Sequence, residues 1–496
     1  MKHLTEIIAF TSGAVVMILE LDGSRIIAPY LGTSTIVWTG LIGVILGSLS
    51  LGYWWGGKIA DKSANFGTLG KILATAALLV LSVSFLKNIL TLALLTPRNL
   101  ITSTIIGTII LFAPATFFLG IVTPYLARLK MKTVETSGET VGSLYAISTL
   151  GSIVGTFLGG FVLISYFGST KIIMILSAAL FLLAAAAFNH SPKPKDRKLA
   201  LLMLILGFLV MFIKPVGSFA EKIVLDADTH YSRVWIKDSE DPSTGRPTRL
   251  LTNSIYGTQS GMFLDNPDEL LFQYTKLFDL AAKINPNLKT TLMIGAGAYS
   301  YPKHFVKTFP DATLDVVEID PKLTDLAKKY FGLKDNPRVA IFHEDGRIFL
   351  NQNKKTYDAI FNDAFLSYLN IPFQLTTEEA IRKMSDSLNN NGVVMTNLIA
   401  SVSGPSAAFL EAEYATYKQV FPTVHIIKVT DRPDTVSQNI MLVAMKSVDK
   451  PSILSILKTN FGIPEKNILS PKIKPGAEIL ADDFAPIEKY MALMLL

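Results

Sequence analysis

The sequence contains no cysteine, and it has few charged residues for its length. The lack of cysteine excludes disulfides and thiolate metal sites. Charged residues make up 17% of the 496 residues, whereas a soluble domain usually carries about 25%. The six histidines are scattered and have no carboxylate at ligand spacing, so the sequence predicts no metal site. A chain of this composition has to be searched for membrane spans.

Long hydrophobic runs fill the N-terminal part of the chain. Most are close to the ~20 residues that cross a bilayer. They occupy residues 7–21, 34–56, 69–86, 101–119, 141–167, 172–188 and 199–213. The first run has no small-residue cleavage site and is followed by similar runs, which argues against a cleavable signal. We therefore predict an α-helical bundle of about seven spans in residues 1–215, in a multi-pass protein of the cell membrane with the lipid bilayer as partner.

The basic residues beside these runs predict a topology. Loops two, four and six carry ten Lys and Arg residues, and the alternate loops carry four. The positive-inside rule then places the N-terminus in the cytoplasm. Seven crossings would leave the C-terminal part outside, unless run 199–213 does not cross or an eighth span lies between Lys87 and Arg128. We favour a cytoplasmic C-terminal part. Because much of the +6 net charge lies in these loops, we predict no nucleic-acid partner.

Three features of the hydrophobic part bear on its role. Small residues recur closely in 40–52 and 151–160, which is typical of tightly packed membrane helices. Glu20 closes the first run, and an ionisable group at membrane depth is a functional candidate because burying a charge is costly. The alternative is that Glu20 reaches the headgroups or pairs with Arg25. Residues 57–62 resemble the loop between helices two and three of major-facilitator transporters, which leaves a transport role open.

From residue 223 the sequence changes to short alternating strands. Residues 232–236 and 249–252 flank a polar turn, and with a helix at 270–283 they predict a small β subdomain over 223–289. After it, strands alternate with helical stretches. These strands are predicted at 291–294, 313–317, 339–342, 359–361 and 392–396. Such alternation predicts a parallel sheet wound by helices, and hence a Rossmann-like α/β domain over residues 290–496.

The first two of these strands end in a nucleotide-binding pattern. Gly295 and Gly297 permit a sharp turn and the close approach of a ligand. Glu318 ends the next strand, 21 residues after Gly297, where an acid takes both hydroxyls of a ribose. The third glycine of the dinucleotide fingerprint is missing. A nucleoside with a sulfonium tail is therefore favoured over a pyrophosphate.

The next two strands also end in acids. Asp345 and Gly346 follow the third strand, where Asp345 can accept from an adenine amino group. Asp363 follows the fourth strand, at the carboxyl edge where open α/β sheets bind ligands. The alternative is that these acids only cap helices or occupy turns. Four such features at four successive strand ends favour a binding site.

Residues 231–397 resemble spermidine synthase and other polyamine aminopropyltransferases. The resemblance rests on Val-Glu-Ile-Asp at 317–320, Asp-Gly at 345–346, the acid at 363, Gln259 and the helix start at 375–379. With residues 481–488, the whole chain resembles the membrane-fused branch of that family. The resemblance implies that Gln259 lies beside the donor, Glu318 holds the ribose and Asp345 the adenine. It also implies that Asp363 is the base that receives a proton from an attacking amine; capping a helix is the alternative role.

Two departures from the family put classical putrescine transfer in question. The family's glycine loop contains an Asp that grips the donor amine, and Ala298 stands in its place. The second Asp of the catalytic loop is replaced near Leu366. Tyr231, Tyr299 and Tyr301 are candidate pocket residues. The rings of Tyr299 and Tyr301 would favour a cation, or a bulkier donor such as intact S-adenosylmethionine. Packing is the alternative for Tyr299 and Tyr301.

Three functional hypotheses follow. The first is a transferase that uses decarboxylated S-adenosylmethionine, attacks its sulfonium with a small amine and releases methylthioadenosine. The second uses intact S-adenosylmethionine, for methyl transfer or for cleavage of the methionine side chain. The third is a non-catalytic transporter whose C-terminal domain senses a nucleoside or polyamine. We rank the enzymes above the sensor, and we leave a homo-oligomer open.

Overall fold

The computed structural model describes residues 3–94, 100–131, 133–212, 223–254, 257–365, 371–447, 453–469 and 477–494. The chain divides into two compact units, Met1–Ala220 and Glu221–Leu496. In the described residues of the first unit all regular secondary structure is helical, and the second unit combines two sheets with helices.

The first unit is a bundle of long helices. They are α1 (Leu4–Leu31), α2 (Thr35–Lys62), α3 (Phe66–Leu94), α4 (Leu100–Leu111), α5 (Ala113–Lys130), α6 (Ser137–Phe157), α7 (Ile164–Tyr166), α8 (Ser169–Asn189) and α9 (Pro194–Val210). A π-helical segment, Leu158–Leu163, joins α6 to α7. Residues 57–62, which resemble a transporter loop in sequence, form the last turns of α2.

Glycines set the closest helix contacts in the bundle. A Cβ atom at Gly151 of α6 would overlap the carbonyl of Phe10 on α1, and one at Gly155 would lie 2.6 Å from the carbonyl oxygen of Ala14. The Ser152 hydroxyl donates to the carbonyl of Gly13 at 3.2 Å. Small residues therefore let α1 and α6 pack backbone against backbone, as their spacing in the sequence predicts.

Five helical segments of the described chain are long and apolar enough to cross a membrane. They are Leu4–Leu31, Thr35–Lys62, Phe66–Lys87, Ser137–Tyr166 and Ser169–Asn189. Helices α4 and α5, bent by 56°, form a sixth candidate as a pair. Run 199–213 contributes only the 17-residue α9, which is short for a bilayer. The described residues thus supply fewer candidate spans than the seven predicted.

Glu20 lies within α1 rather than at its end, and its side chain is buried with 9% exposure. The Arg25 guanidinium donates to the carbonyl oxygen of Ile164 at 3.2 Å. Arg25 therefore contacts the segment that follows the π-helix. A functional role for Glu20 remains a prediction.

The second unit begins with a four-stranded antiparallel sheet in the order β1-β2-β3-β4. Its strands are β1 (Ile223–Asp228), β2 (Arg233–Glu240), β3 (Pro247–Thr252) and β4 (Ser260–Phe263). Strands β2 and β3 flank the predicted turn and pair antiparallel. The predicted helix 270–283 is instead two short helices, α10 (Gln273–Leu277) and α11 (Leu280–Ile284). Asp279 separates them and accepts hydrogen bonds from Tyr301 and His304.

The larger sheet has eight strands in the order β12-β10-β11-β9-β8-β5-β6-β7. The strands are β5 (Thr290–Ile294), β6 (Thr313–Val317), β7 (Val339–Phe342), β8 (Tyr357–Asn362), β9 (Leu388–Ala400), β10 (Thr423–Lys428), β11 (Gln438–Met445) and β12 (Ile468–Leu469). Strands β5 to β9 are parallel, as predicted. Strand β11 pairs antiparallel with β9 and β10, so the sheet is mixed.

Helices cover both faces of this sheet. The remaining helices are α12 (Ser300–Thr308), α13 (Pro321–Tyr330), α14 (Gly346–Gln352), α15 (Glu378–Asp386), α16 (Ala408–Val420), α17 (Ile453–Phe461) and α18 (Ile487–Leu493). One core contains Phe278 of the α10–α11 segment and Phe305 of α12. The other contains Ile381 of α15, Tyr417 of α16 and Tyr490 of α18. The carboxyl ends of β5 to β9 therefore open at one edge between two helical layers.

Candidate active site

Two glycines shape the turn after β5. Gly295 has a φ of +83°, and a Cβ atom there would lie 2.6 Å from the carbonyl oxygen of Asp363. Gly297 has a φ of +54°, and a Cβ there would lie 3.2 Å from Ser260 and 3.8 Å from Gln259 Nε2. Both positions combine a left-handed backbone with close neighbours, which favours glycine. The turn thus runs between Asp363 on one side and Gln259 on the other.

Glu318 lies directly beside this turn. Its Oε2 accepts from the backbone N–H groups of Ala296 at 3.0 Å and Gly297 at 3.3 Å, and its Oε1 accepts from Asp320 at 3.0 Å. The side chain is 5% exposed, and burial raises its pKa while these hydrogen bonds lower it. The carboxylate is thereby fixed at the end of β6, where its remaining lone pairs can accept from hydroxyl groups.

Two buried oxygens beside the turn have no hydrogen-bond partner among the described residues. One is Oε1 of Gln259, and the other is Oδ2 of Asp320. The Oδ1 of Asp320 accepts from the Lys322 N–H at 3.0 Å and caps α13. Because an unpaired buried oxygen is costly, these two atoms mark places where a bound donor group would be favourable.

Asp345 caps the next helix. Its Oδ1 accepts from the N–H groups of Arg347 at 2.8 Å and Ile348 at 3.1 Å, and its Oδ2 accepts from Gln374 Nε2 at 3.4 Å. A Cβ at Gly346 would lie 2.6 Å from Ile294 Cγ2, so glycine lets α14 start against β5. The predicted adenine contact is therefore also a helix cap, and sequence reasoning missed Gln374 beside it.

Tyr231 lies near these acids. Its side chain is 54% exposed. Its pKa is raised by partial burial and then by the charges of Asp320, Asp345 and Glu318. The Tyr231 hydroxyl is therefore within reach of the charges of three carboxylates, and its assignment to the pocket stays a prediction.

Tyr299 and Tyr301 lie in the core instead. Tyr299 is fully buried, has a left-handed φ of 58° and shares a 2.7 Å hydrogen bond with Thr324. Tyr301 is 1% exposed and donates to Asp279 at 3.3 Å. Burial raises the pKa of both hydroxyls. These positions favour the packing alternative over ring contacts to a bound cation.

Asp363 follows β8 and makes three hydrogen bonds. Its backbone N–H donates to the carbonyl of Ile294 at 2.8 Å. Its Oδ1 accepts from Asn397 Nδ2 at 2.9 Å, and its Oδ2 accepts from the Tyr274 hydroxyl at 3.3 Å. The side chain keeps some solvent contact but lies deep among protein atoms. Burial raises its pKa to about 7, although the bonds from Asn397 and Tyr274 oppose the shift.

Sequence reasoning missed the partners of Asp363. Tyr274 lies on α10, Asn397 on β9 and Asn439 on β11, and Asn439 Nδ2 donates to Asn397 Oδ1 at 3.0 Å. Tyr274 also stacks on Phe272, with ring centroids 6.0 Å apart. None of them has a recognisable spacing to Asp363, because sheet topology alone brings these elements together.

Comparison with known proteins decides the family. Residues 272–449 match the model of the spermine/spermidine synthase domain. This part of the second unit is a spermidine synthase-like domain. This match confirms the resemblance of the C-terminal part of the chain to the spermidine synthase family.

Relatives of this spermidine synthase-like domain include bacterial proteins named as aminopropyltransferases. A probable polyamine aminopropyl transferase of Bifidobacterium longum is 28% identical over 232 residues, which cover 46% of this chain and 49% of the relative. The polyamine aminopropyltransferase of Vibrio vulnificus is 23% identical over 299 residues, covering 60% and 91%. A probable spermidine synthase structure from Corynebacterium glutamicum has a TM-score of 0.44 and 21% identity, covering 53% and 97%. The chain thus spans about half of the first relative.

The spermidine synthase-like domain keeps its two sequence departures. Ala298 is 1% exposed and packs in a small core with Val234, Met262 and Leu323. That position therefore offers no carboxylate to a ligand amine. Leu366 lies outside the described residues.

Proposed function

We propose that the second unit binds an adenosyl sulfonium and transfers a group from its sulfur to a small amine. Gly295, Gly297 and Glu318 form the nucleoside side of the site, with Gln259 and Asp345 as further contacts. Asp363 is the proposed catalytic residue. The observation that carries the proposal is the position of Asp363, whose backbone lies against Gly295 while its carboxylate sits at the carboxyl edge of the sheet.

The environment of Asp363 supports a role as general base. Both of its oxygens accept hydrogen bonds from neutral donors, Asn397 and Tyr274. A carboxylate with a pKa of about 7 can take a proton near neutral pH, whereas an ordinary Asp is too weak a base. Capping is the alternative role, but no helix begins at Asp363 within the described residues.

The proposed reaction is a displacement at carbon. The amine nitrogen forms a bond to the aminopropyl carbon as the bond from that carbon to sulfur breaks. Sulfur keeps the electron pair, so methylthioadenosine leaves as a neutral thioether. The attacking nitrogen loses a proton, which Asp363 accepts. Positioning of the two reactants supplies much of the rate in such a reaction.

The donor is decarboxylated S-adenosylmethionine or S-adenosylmethionine itself. The family relatives favour the decarboxylated form. The lack of an Asp at Ala298 favours the intact form as a second candidate, because no carboxylate at that position would repel the carboxylate of the intact donor. The intact form would support methyl transfer or internal cleavage. A domain that only senses a nucleoside or polyamine would not need the environment of Asp363.

We also propose that the first unit spans the cell membrane. Among the described residues, 34 of the 41 exposed large hydrophobic side chains belong to this unit. An outward apolar surface of that extent suits lipid rather than water. With six crossings, an N-terminus in the cytoplasm would place the second unit in the cytoplasm as well. Labelling of added cysteines from either side of the membrane would test this topology, and the cysteine-free chain makes labelling specific.

Incubation of the purified full-length protein with either donor, with and without a panel of amines, tests the enzymatic proposal. The adenosyl product is identified by mass spectrometry, with Asp363→Asn as control. Methylthioadenosine that requires an amine supports transfer, and methylthioadenosine without an amine indicates internal cleavage. S-adenosylhomocysteine indicates methyl transfer. Binding of the donor without any product, in wild type and variant alike, overturns catalysis in favour of sensing.

A further inference from the structure

Asp363, Asn397 and Asn439 form a continuous chain of side-chain hydrogen bonds. The Asn397 Nδ2 donates to Asp363 Oδ1 at 2.9 Å, and the Asn439 Nδ2 donates to Asn397 Oδ1 at 3.0 Å. The chain runs from the residue that follows β8 to strands β9 and β11. Asn439 is therefore connected to the proposed base, although it does not touch it.

The direction of donation along these hydrogen bonds follows from Asp363. An ionised carboxylate only accepts hydrogen bonds, so Asn397 has to turn its NH₂ group towards Asp363. The Asn397 oxygen then points the other way and needs a donor. Asn439 supplies that donor, and a residue that only accepts would favour the opposite orientation of Asn397.

We propose that Asn439 is a positioning residue that holds the amide of Asn397 in the orientation that supports Asp363 as the base. This inference rests on the proposed function of Asp363. With Asn397 donating to Oδ1 and Tyr274 donating to Oδ2, the free lone pairs of the carboxylate remain for the attacking amine. If Asn397 turned over, its oxygen would face the carboxylate and repel it.

The surroundings of Asp363 allow the orientation of the Asn397 amide to be measured through the titration of Asp363. Strand β9 presents the neutral amide of Asn397, and the loop after β5 presents the backbone of Gly295. Helix α10 presents Tyr274, whose own pKa is raised well above its usual value by burial and by Asp363. Tyr274 thus stays protonated near neutral pH. A change in the midpoint of the Asp363 titration between pH 5 and 9 therefore reports on the amide groups of Asn397 and Asn439.

The test is a pH titration of Asp363 by infrared difference spectroscopy on the full-length protein. The carbonyl band of the protonated acid is identified by its loss in Asp363→Asn. The variants are Asn439→Asp, which replaces the donor by an acceptor of the same shape, and Asn439→Leu, which removes the donor without adding charge. We expect the midpoint to rise by about one pH unit in Asn439→Asp and by less in Asn439→Leu.

Two controls separate positioning from general damage to the strand. Asn439→Gln keeps an NH₂ donor and should restore the wild-type midpoint. Thr430→Val removes the 2.9 Å hydrogen bond from Thr430 to Gln438, the neighbour of Asn439, and should leave the midpoint unchanged. If the Asp and Leu variants both fold and keep the wild-type midpoint, Asn439 does not position the base.

The titration also separates this inference from the proposed function, because it needs no substrate. If turnover is found, the acid limb of the pH profile of kcat/KM should move with the infrared midpoint in each variant. In Asn439→Asp, kcat/KM should fall about fivefold at pH 7. An acid limb that stays in place while the midpoint moves would overturn the link to catalysis. Absence of turnover in the wild type would overturn the proposed function and leave the midpoint shift as evidence for the network.

Discussion

The two units of the chain use glycine in different ways. In the first unit, Gly151 and Gly155 bring backbones together, and large apolar side chains point outwards. In the second unit, Gly295 and Gly297 open a turn, and acids line the edge of a sheet whose apolar residues point inwards. The same residue type thus serves packing in one unit and a site in the other. What a glycine contributes depends on its neighbours and on the backbone angle it takes.

The largest expected effect concerns the base of the second unit. We predict that Asp363→Asn lowers turnover by about 10³-fold, because a positioned general base typically contributes 10² to 10⁴. The site keeps its shape, since an amide can accept from Asn397 and face the Tyr274 hydroxyl. Donor binding by calorimetry should be unchanged. Turnover within tenfold of the wild type would remove Asp363 from the mechanism.

The same substitution should raise the stability of the folded protein at alkaline pH. The folded pKa of about 7 lies above the usual 3.8, so folding favours the protonated acid. The contribution of Asp363 to stability is therefore full below pH 4 and is lost as the pH rises through 7. Asp363→Asn should melt higher than the wild type at pH 8, and the difference should shrink towards pH 4. A difference that grows as the pH falls would contradict this sign.

The next effect tests close packing in the first unit. We predict that Gly151→Ala destabilises the protein by roughly 3 kcal/mol, because the added methyl group overlaps the carbonyl of Phe10 on α1. The matched control is Gly142→Ala on the same helix, where an added Cβ meets nothing within 4 Å. Melting in detergent, followed by size-exclusion chromatography, gives the comparison. Equal melting temperatures for both variants would show that α1 and α6 need no glycine contact.

A moderate effect is expected at the nucleoside side of the second unit. Glu318→Gln should weaken the binding of methylthioadenosine about 10- to 100-fold, since hydrogen bonds to a charged group contribute about 1.5 to 3 kcal/mol. The exposed Glu465→Gln in the same unit is the control. Isothermal titration calorimetry measures both. Equal affinity in the two variants would exclude Glu318 from the ribose contact.

The smallest effect concerns the two buried tyrosines. Tyr299→Phe removes a 2.7 Å hydrogen bond to Thr324 and should cost about 1 kcal/mol. Tyr301→Phe removes a longer bond of 3.3 Å to Asp279, which keeps its contact with His304, and should cost less. Thermal melting ranks the two. Loss of methylthioadenosine affinity in either variant, with unchanged melting, would instead return that tyrosine to the pocket.

The sequence predicted the parallel part of the large sheet well, because short apolar strands bounded by glycines and acids are a local signal. The predicted strands 313–317 and 339–342 coincide with β6 and β7. Strand-end acids were predictable for the same reason, since Glu318 and Asp363 directly follow their strands. Strands β10 to β12 follow no such alternation, and they were not predicted.

Local sequence patterns could not predict the hydrogen-bond network around Asp363. Tyr274 is 89 residues from Asp363, and Asn397 is 34 residues away. Only the strand order brings them together. Tyr299 shows a different limit of sequence reasoning. An aromatic residue beside a glycine turn suggested a pocket, whereas the side chain of Tyr299 is fully buried in the core.

The hydrogen-bonded chain of Asp363, Asn397 and Asn439 also supplies a criterion for classifying homologous sequences. An acid after the fourth strand, an asparagine 34 residues later and a second asparagine 42 residues after that form a spaced signature that can be searched in uncharacterised sequences. Homologues that keep the acid but replace both asparagines would need another donor to hold it. Grouping by this signature would divide the lineage by the support of its base rather than by overall similarity.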